Sequence, residues 1–298
     1  MKKPLFYGCA TALVTPFFPD GSVDFESLGR LIDRQIGAGI DGLVPCGTTG
    51  ESAVLTERER LSVIEYTVWK TAGRVPIIAG TGTNSTAQSI RLTRQAQALG
   101  ADGILAVCPY YNKPTAEGIV AHYTALADCA SLPVILYDVP ARTGCEIPLS
   151  ALEILAKHPN IVGLKQANGS VASAARIRNR CGEDLPLYSG DDGLILPFLA
   201  LGGAGVISVA SNLIPRRIHT LCRRFFAGDV EGAAATQCDL MPLIDGLFSK
   251  TNPIPVKAAL ERIGFPPQTL RLPLVPLGDA EKHALFALVD EALKEEIL

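Results

Sequence analysis

Lys165 is the residue in this 298-residue chain with the clearest chemical potential. It lies within Ile161-Val162-Gly163-Leu164-Lys165-Gln166-Ala167, a short apolar run that opens after Pro159-Asn160 and closes at Gly169. A run apolar on both faces predicts a strand buried in a parallel sheet. An ammonium buried there is costly unless it is paired, and burial favours the neutral amine. A neutral amine is the species that forms an imine with a carbonyl substrate. The competing reading is a structural lysine, ion-paired to a nearby carboxylate.

Further reactive side chains stand at the ends of comparable runs. Gly47-Thr48-Thr49-Gly50-Glu51-Ser52 offers free amides and two hydroxyls suited to a carboxylate, or else is an ordinary tight turn. Pro109-Tyr110-Tyr111-Asn112-Lys113-Pro114 and Tyr137-Asp138-Val139-Pro140-Ala141-Arg142-Thr143-Gly144 close two other runs. Tyrosines there can relay a proton, and an arginine can clamp a carboxylate through two parallel bonds. Patterns for other chemistries fail. No GK[ST] follows 47–52, GTGTN at 80–84 does not complete GxGxxG, and no GxSxG elbow occurs. The glycine-rich segment 202–205 precedes a strand, so it is not a dinucleotide loop. His122, His158, His219 and His283 fall on or beside predicted helices, and Asp191-Asp192 reads as a helix N-cap. No metal site is expected.

The elements that must position these residues form a repeat. Strand-like runs begin at Gly8, Gly42, Pro76, Gly103, Pro133, Ile161, Leu185 and Gly205, each followed by a helix-like segment. Eight such units predict an α/β fold, a (β/α)8 TIM barrel, with its active site at the carboxyl ends of the strands. Asp24 is predicted to cap a first helix with Leu28, Leu31, Ile32 and Ile36 on one stripe, ended by Gly37 to Gly39. Thr56 and Glu59 spell a capping box. The echo AGIDGLV at 38–44, LGADGIL at 99–105 and LGGAGVI at 201–207 reads as helix stop, turn and strand entry. Beyond about residue 227 the alternation ends. The expected division is a catalytic barrel over 1–226 and a C-terminal helical extension over 227–298, with helices across 229–247, 253–263 and 279–297.

Composition narrows the class. With 48% apolar and 19% charged residues the chain is globular. A net charge of −3 offers no basic patch for nucleic acid or an anionic membrane. No apolar run approaches the roughly 20 residues of a membrane span. Lys2-Lys3 before Leu5–Val14 imitates a signal peptide, but Pro4 and Gly8 interrupt it, and a first strand is predicted instead. Eight cysteines without a CxxC pair suit reduced thiols in a cytoplasmic protein.

The combination GTTGES, PYYNKP, YDVPARTG, GLKQANG, SGDD, GVISVASN and NPIPVKAAL resembles the dihydrodipicolinate synthase and N-acetylneuraminate lyase superfamily of pyruvate-dependent class I aldolases. The likeness spans nearly the whole chain. It is greatest to the branch that condenses pyruvate with aspartate semialdehyde on the route to lysine. Aldolases of sugar-derived acids are the nearest alternative, and a silent keto-acid-binding barrel a further one. The resemblance implies that Lys165 forms the pyruvate imine and that Tyr137 moves protons beside it. Thr48 would link Tyr137 to Tyr111, which in the family reaches in from a neighbouring subunit. Thr49 would hold the pyruvate carboxylate, Arg142 the carboxylate of the second substrate, and Ile207 would set a backbone carbonyl near the lysine. Gly190, in SGDD, would border the substrate.

No cofactor is implied, and a homo-oligomer, a tetramer built as a dimer of dimers, is. In lysine-inhibited relatives the effector lies beside residues matching Ser52, Ala53, Asn84, Gln88 and Tyr110. Glu57, Arg60 and Gln88 depart from the histidines and glutamate of some of those relatives, so L-lysine as effector stays open. Asp138 and Gln166 also depart from the usual asparagine and acid, which bears on the electrostatics of the pocket.

Overall fold

The computed structural model describes residues 2–294. Its frame is eight parallel strands: β1 (Gly8–Ala12), β2 (Gly42–Val44), β3 (Ile78–Gly80), β4 (Gly103–Val107), β5 (Val134–Asp138), β6 (Ile161–Gln166), β7 (Leu187–Ser189) and β8 (Gly205–Ser208). The order β2-β1-β8-β7-β6-β5-β4-β3 closes where Leu43 bridges Ile77 and Gly80 donates to the Pro45 carbonyl, 3.0 Å away. This is the predicted TIM barrel. Three strands start later than the apolar runs suggest. β3 follows Pro76, β5 follows Pro133 and β7 follows Pro186, and none of these prolines has an N–H for the ladder. Their carbonyls still serve it, accepting from Leu43, Ile104 and Leu164.

Helices α1 (Phe25–Gly37), α2 (Glu57–Thr71), α3 (Thr86–Ala98) and α4 (Ala116–Asp128) follow the first four strands. Asp24 caps α1 through the Ser27 N–H, and Thr56 with Glu59 forms the capping box of α2. Leu28, Leu31 and Ile32 are fully buried on the stripe expected for α1. The loop after β5 departs from a single helix: α5 (Pro140–Thr143) is one turn, and α6 (Leu149–Leu155) packs beside α4. Next come α7 (Val171–Cys181), α8 (Ile195–Ala200) and α9 (Pro215–Phe226).

The repeated Gly-Asp echo has a structural use. Asp41 accepts the Cys9 N–H and Asp102 the Ile77 N–H, each at 2.8 Å, so each turn is stapled to the preceding strand. The third copy has Ala204 in place of the acid.

Beyond the barrel lie α10 (Val230–Leu247), α11 (Ile254–Arg262) and α12 (Asp279–Leu293). The last four residues of the chain, which take in the end of the helix predicted over 279–297, lie outside the described residues. Leu240, Leu243, Ile244, Val256, Leu260, Leu285 and Val289 join the same apolar core as the barrel helices. Inside the barrel, Ala10, Val44, Ile78, Leu105, Ile135, Tyr188 and Ile207 fill the interior below the strand ends. Tyr188 stacks on Phe6 at 4.5 Å and donates to its carbonyl.

Candidate active site

Parallel register puts Val107, Tyr137, Lys165 and Tyr188 side by side on neighbouring strands, so they share the interior face. Lys165 is only 4% exposed, and its Nζ lies 4.4 Å from the centre of the Tyr137 ring. Among the described residues no carboxylate pairs with it. Gly190 leaves room for its stem, because a Cβ there would come within 3.0 Å of Lys165 Cε. The amine therefore sits at the base of a cavity of about 540 Å³, lined by Thr49, Tyr137, Arg142, Gly190, Val209 and Asn252 among others. An amine so placed can add to the carbonyl of a small keto acid.

The 47–52 turn forms the facing wall. Gly50 and Glu51 donate back to the carbonyls of Gly47 and Thr48, and Thr15 Oγ1 donates to the Gly50 carbonyl at 2.8 Å. Thr48 and Tyr137 both line a small void of about 30 Å³. Thr49 is buried and accepts from Asn252 Nδ2 at 3.0 Å. Arg142, on α5, donates to the Asn252 carbonyl at 2.9 Å while its side chain borders the cavity. Asn252, Met241, Ile244, Asp245 and Phe248 all come from the C-terminal extension, and sequence reasoning gave none of them a place in the site. The NPIPVKAAL motif beginning at Asn252 was the available signal.

Not every expected residue gathers here. The Ile207 side chain is fully buried inside the barrel, and Val209, two residues on, lines the cavity. Tyr111 has φ 71° and is 88% exposed, and it lines none of the cavities around Lys165. Ser52, Ala53 and Tyr110 line an adjoining cavity of about 310 Å³ together with Thr48, Arg60 and Arg142. Asn84 is instead bonded to Asn112, and Gln88 sits in the first turn of α3. Glu57 is taken up by Arg91 through two bonds of 2.9 and 2.7 Å.

The two departures in β5 and β6 lie behind the site. Asp138 accepts the Ile147 N–H and Gln166 donates to Ser173, and neither lines the main cavity. Burial pushes the Asp138 carboxyl up to about 7, partly opposed by the Ile147 N–H. Asp191 caps the 3-10 turn 192–194, while Asp192 accepts the N–H groups of Val209 and Ala210 and so ties the β7 loop to the β8 loop. Among the described residues no cluster of three or more His, Cys, Asp or Glu side chains is placed to hold a metal.

Comparison with known proteins places nearly the whole chain in one family. The model of the dihydrodipicolinate synthetase family matches residues 5–292. The 4-hydroxy-tetrahydrodipicolinate synthase of Pelobacter propionicus is 46% identical, over 96% of this chain and 98% of its own. The chloride-inhibited dihydrodipicolinate synthase of Acinetobacter baumannii, solved in complex with pyruvate, superposes with a TM-score of 0.94 at 40% identity, over 96% of this chain and 99% of its own. DHDPS of Cyanidioschyzon merolae, solved with lysine bound, does so with a TM-score of 0.94 at 42% identity, over 97% and 99%. With its barrel, its cavity lysine and a family match along nearly its full length, the chain belongs to the dihydrodipicolinate synthetase family.

Proposed function

We propose that the chain condenses pyruvate with L-aspartate 4-semialdehyde to give 4-hydroxy-tetrahydrodipicolinate, in lysine and diaminopimelate biosynthesis, through an imine on Lys165. The observation that carries this reading is an amine without a carboxylate partner among the described residues, facing a cavity walled by hydroxyls and an arginine. Lys165 adds to the pyruvate carbonyl and water leaves. The imine withdraws electrons, so the pyruvate methyl group loses a proton and its carbon attacks the aldehyde. The amino group of the second substrate then displaces Lys165 and closes the ring.

Tyr137 is the proton donor and acceptor beside the imine, with Thr48 as its hydroxyl partner. Thr49 and neighbouring amides receive the pyruvate carboxylate, Arg142 receives that of the second substrate, and Gly190 and Ile207 supply backbone at the site. Tyr111 completes the relay in a neighbouring copy. Its exposure on a left-handed loop supports that assignment, and with it a homo-oligomer built from dimers. Were L-lysine an effector, a question the sequence leaves open, its place would be the cavity lined by Ser52, Ala53 and Tyr110. Residues 227–298 act as an extension that walls the barrel and not as a separate catalytic unit. Among the described residues no helix is long and apolar enough to cross a membrane, and the biosynthetic role assigns the protein to the cytoplasm.

The test is NADPH consumption when purified protein, pyruvate and aspartate semialdehyde are coupled to dihydrodipicolinate reductase. Oxidation that needs both substrates and Lys165 is expected. A protein that traps pyruvate with borohydride yet gives no coupled oxidation would move the acceptor to a sugar-derived aldehyde.

A further inference from the structure

We infer that the buried ion pair between Lys257 and Glu51 is a positioning device, through which α11 holds Thr48 and Thr49 in register with Lys165. The inference rests on the pyruvate reading above. The 47–50 segment is flanked by two non-glycine residues in the left-handed region, Cys46 at φ 57° and Glu51 at φ 54°. Such residues persist only where their surroundings over-determine them. The Glu51 carboxylate is gripped on both oxygens: Oε1 by Lys257 Nζ, and Oε2 by the Arg271 N–H at 3.1 Å. Lys257 also donates to the Thr269 carbonyl at 2.8 Å and lies over the Phe17 ring at 4.2 Å. Arg271 covers the same ring at 4.4 Å and reaches the carbonyls of Gly21 and Val54.

Five residues before Lys257, the Asn252 side chain donates to Thr49 and its carbonyl accepts from Arg142. One segment therefore grips the turn at Thr49 and at Glu51. Lys257 lines neither the main cavity nor the two beside it, so it is not a reactant. Stability alone is a poor reason for the pair, since well-packed apolar side chains commonly serve as well without the desolvation of two charges. A directional tie that sets the angle of a strained turn is something apolar packing supplies less well.

Lys257→Met and the double variant Glu51→Gln/Lys257→Met separate positioning from bulk stability, because the double variant leaves no unpaired charge buried. The readouts are the pyruvate concentration giving half-maximal borohydride-trapped adduct, the KM for aspartate semialdehyde, and Tm. Misplacing Thr49 is expected to raise the half-saturating pyruvate concentration about tenfold or more in both variants, with the other KM within about twofold. A merely structural pair would lower Tm and the active fraction but leave pyruvate half-saturation at the wild-type value.

If Lys257→Met does not fold, the double variant decides alone. Its having wild-type pyruvate half-saturation would overturn the inference. So would its failure to fold, since the pair would then be holding the fold and not the turn. A wild-type protein that traps no pyruvate would instead overturn the functional reading itself.

Discussion

Two lysines are buried in this protein, and their surroundings are opposites. Lys257, 1% exposed, is enclosed by Glu51, the Thr269 carbonyl and the Phe17 ring. Burial pushes its ammonium down to about 8, and the Glu51 carboxylate beside it works against that fall. Lys165, 4% exposed, has an aromatic neighbour and an open cavity but no carboxylate partner among the described residues. Burial is common to both, so burial alone does not mark a nucleophile. The missing counter-ion and the adjoining space do. On the readings proposed above, one lysine holds the turn and the other is left available for a carbonyl.

The sharpest way to break this contrast is to neutralise each lysine. Lys165→Met should lower turnover by roughly 10⁴-fold or more, because the covalent intermediate is lost, while leaving thermal stability at or above wild type. A large loss of stability would mean that Lys165 has a structural partner after all. Lys257→Met should leave the covalent chemistry in place but cost about 3–5 kcal/mol by stranding the Glu51 carboxylate, as measured by denaturant unfolding. If both variants lost the same stability, the contrast would fail.

Arg142→Ala sharpens the other wall. It should raise the KM for aspartate semialdehyde by roughly 10–100-fold with a smaller change for pyruvate, since it removes a charged clamp on one substrate. Equal changes in both would show that Arg142 acts mainly through the Asn252 carbonyl.

The smallest effect concerns Asp138. Its folded-state value of about 7 lies above the ordinary 3.8, so its stabilising contribution is present below about pH 4 and lost as pH rises through 7. Asp138→Asn should raise Tm by a few degrees at pH 8 and leave it unchanged at pH 4. An equal shift at both pH values would trace the effect to packing.

Much of this was legible in the sequence. Strands buried on both faces read as dense apolar runs, so all eight were found, with late starts only where Pro76, Pro133 and Pro186 cannot join the ladder. Lys165 showed itself because a charge interrupts such a run. Lys257 did not, because a lysine in a helical pattern looks like any solvent-facing one until the fold sets it against Glu51. The C-terminal wall was missed for a related reason: Ile244 and Phe248 repeat at a spacing that reads as core on any helix. The place of Tyr111 follows from the resemblance alone, since periodicity carries no information about a second copy.

The most direct measurement is to incubate the protein with pyruvate, reduce with borohydride, digest it and locate the modified residue by mass spectrometry. The account expects the adduct on Lys165 alone. An adduct on Lys257 or on any other lysine, or none at all, would contradict it.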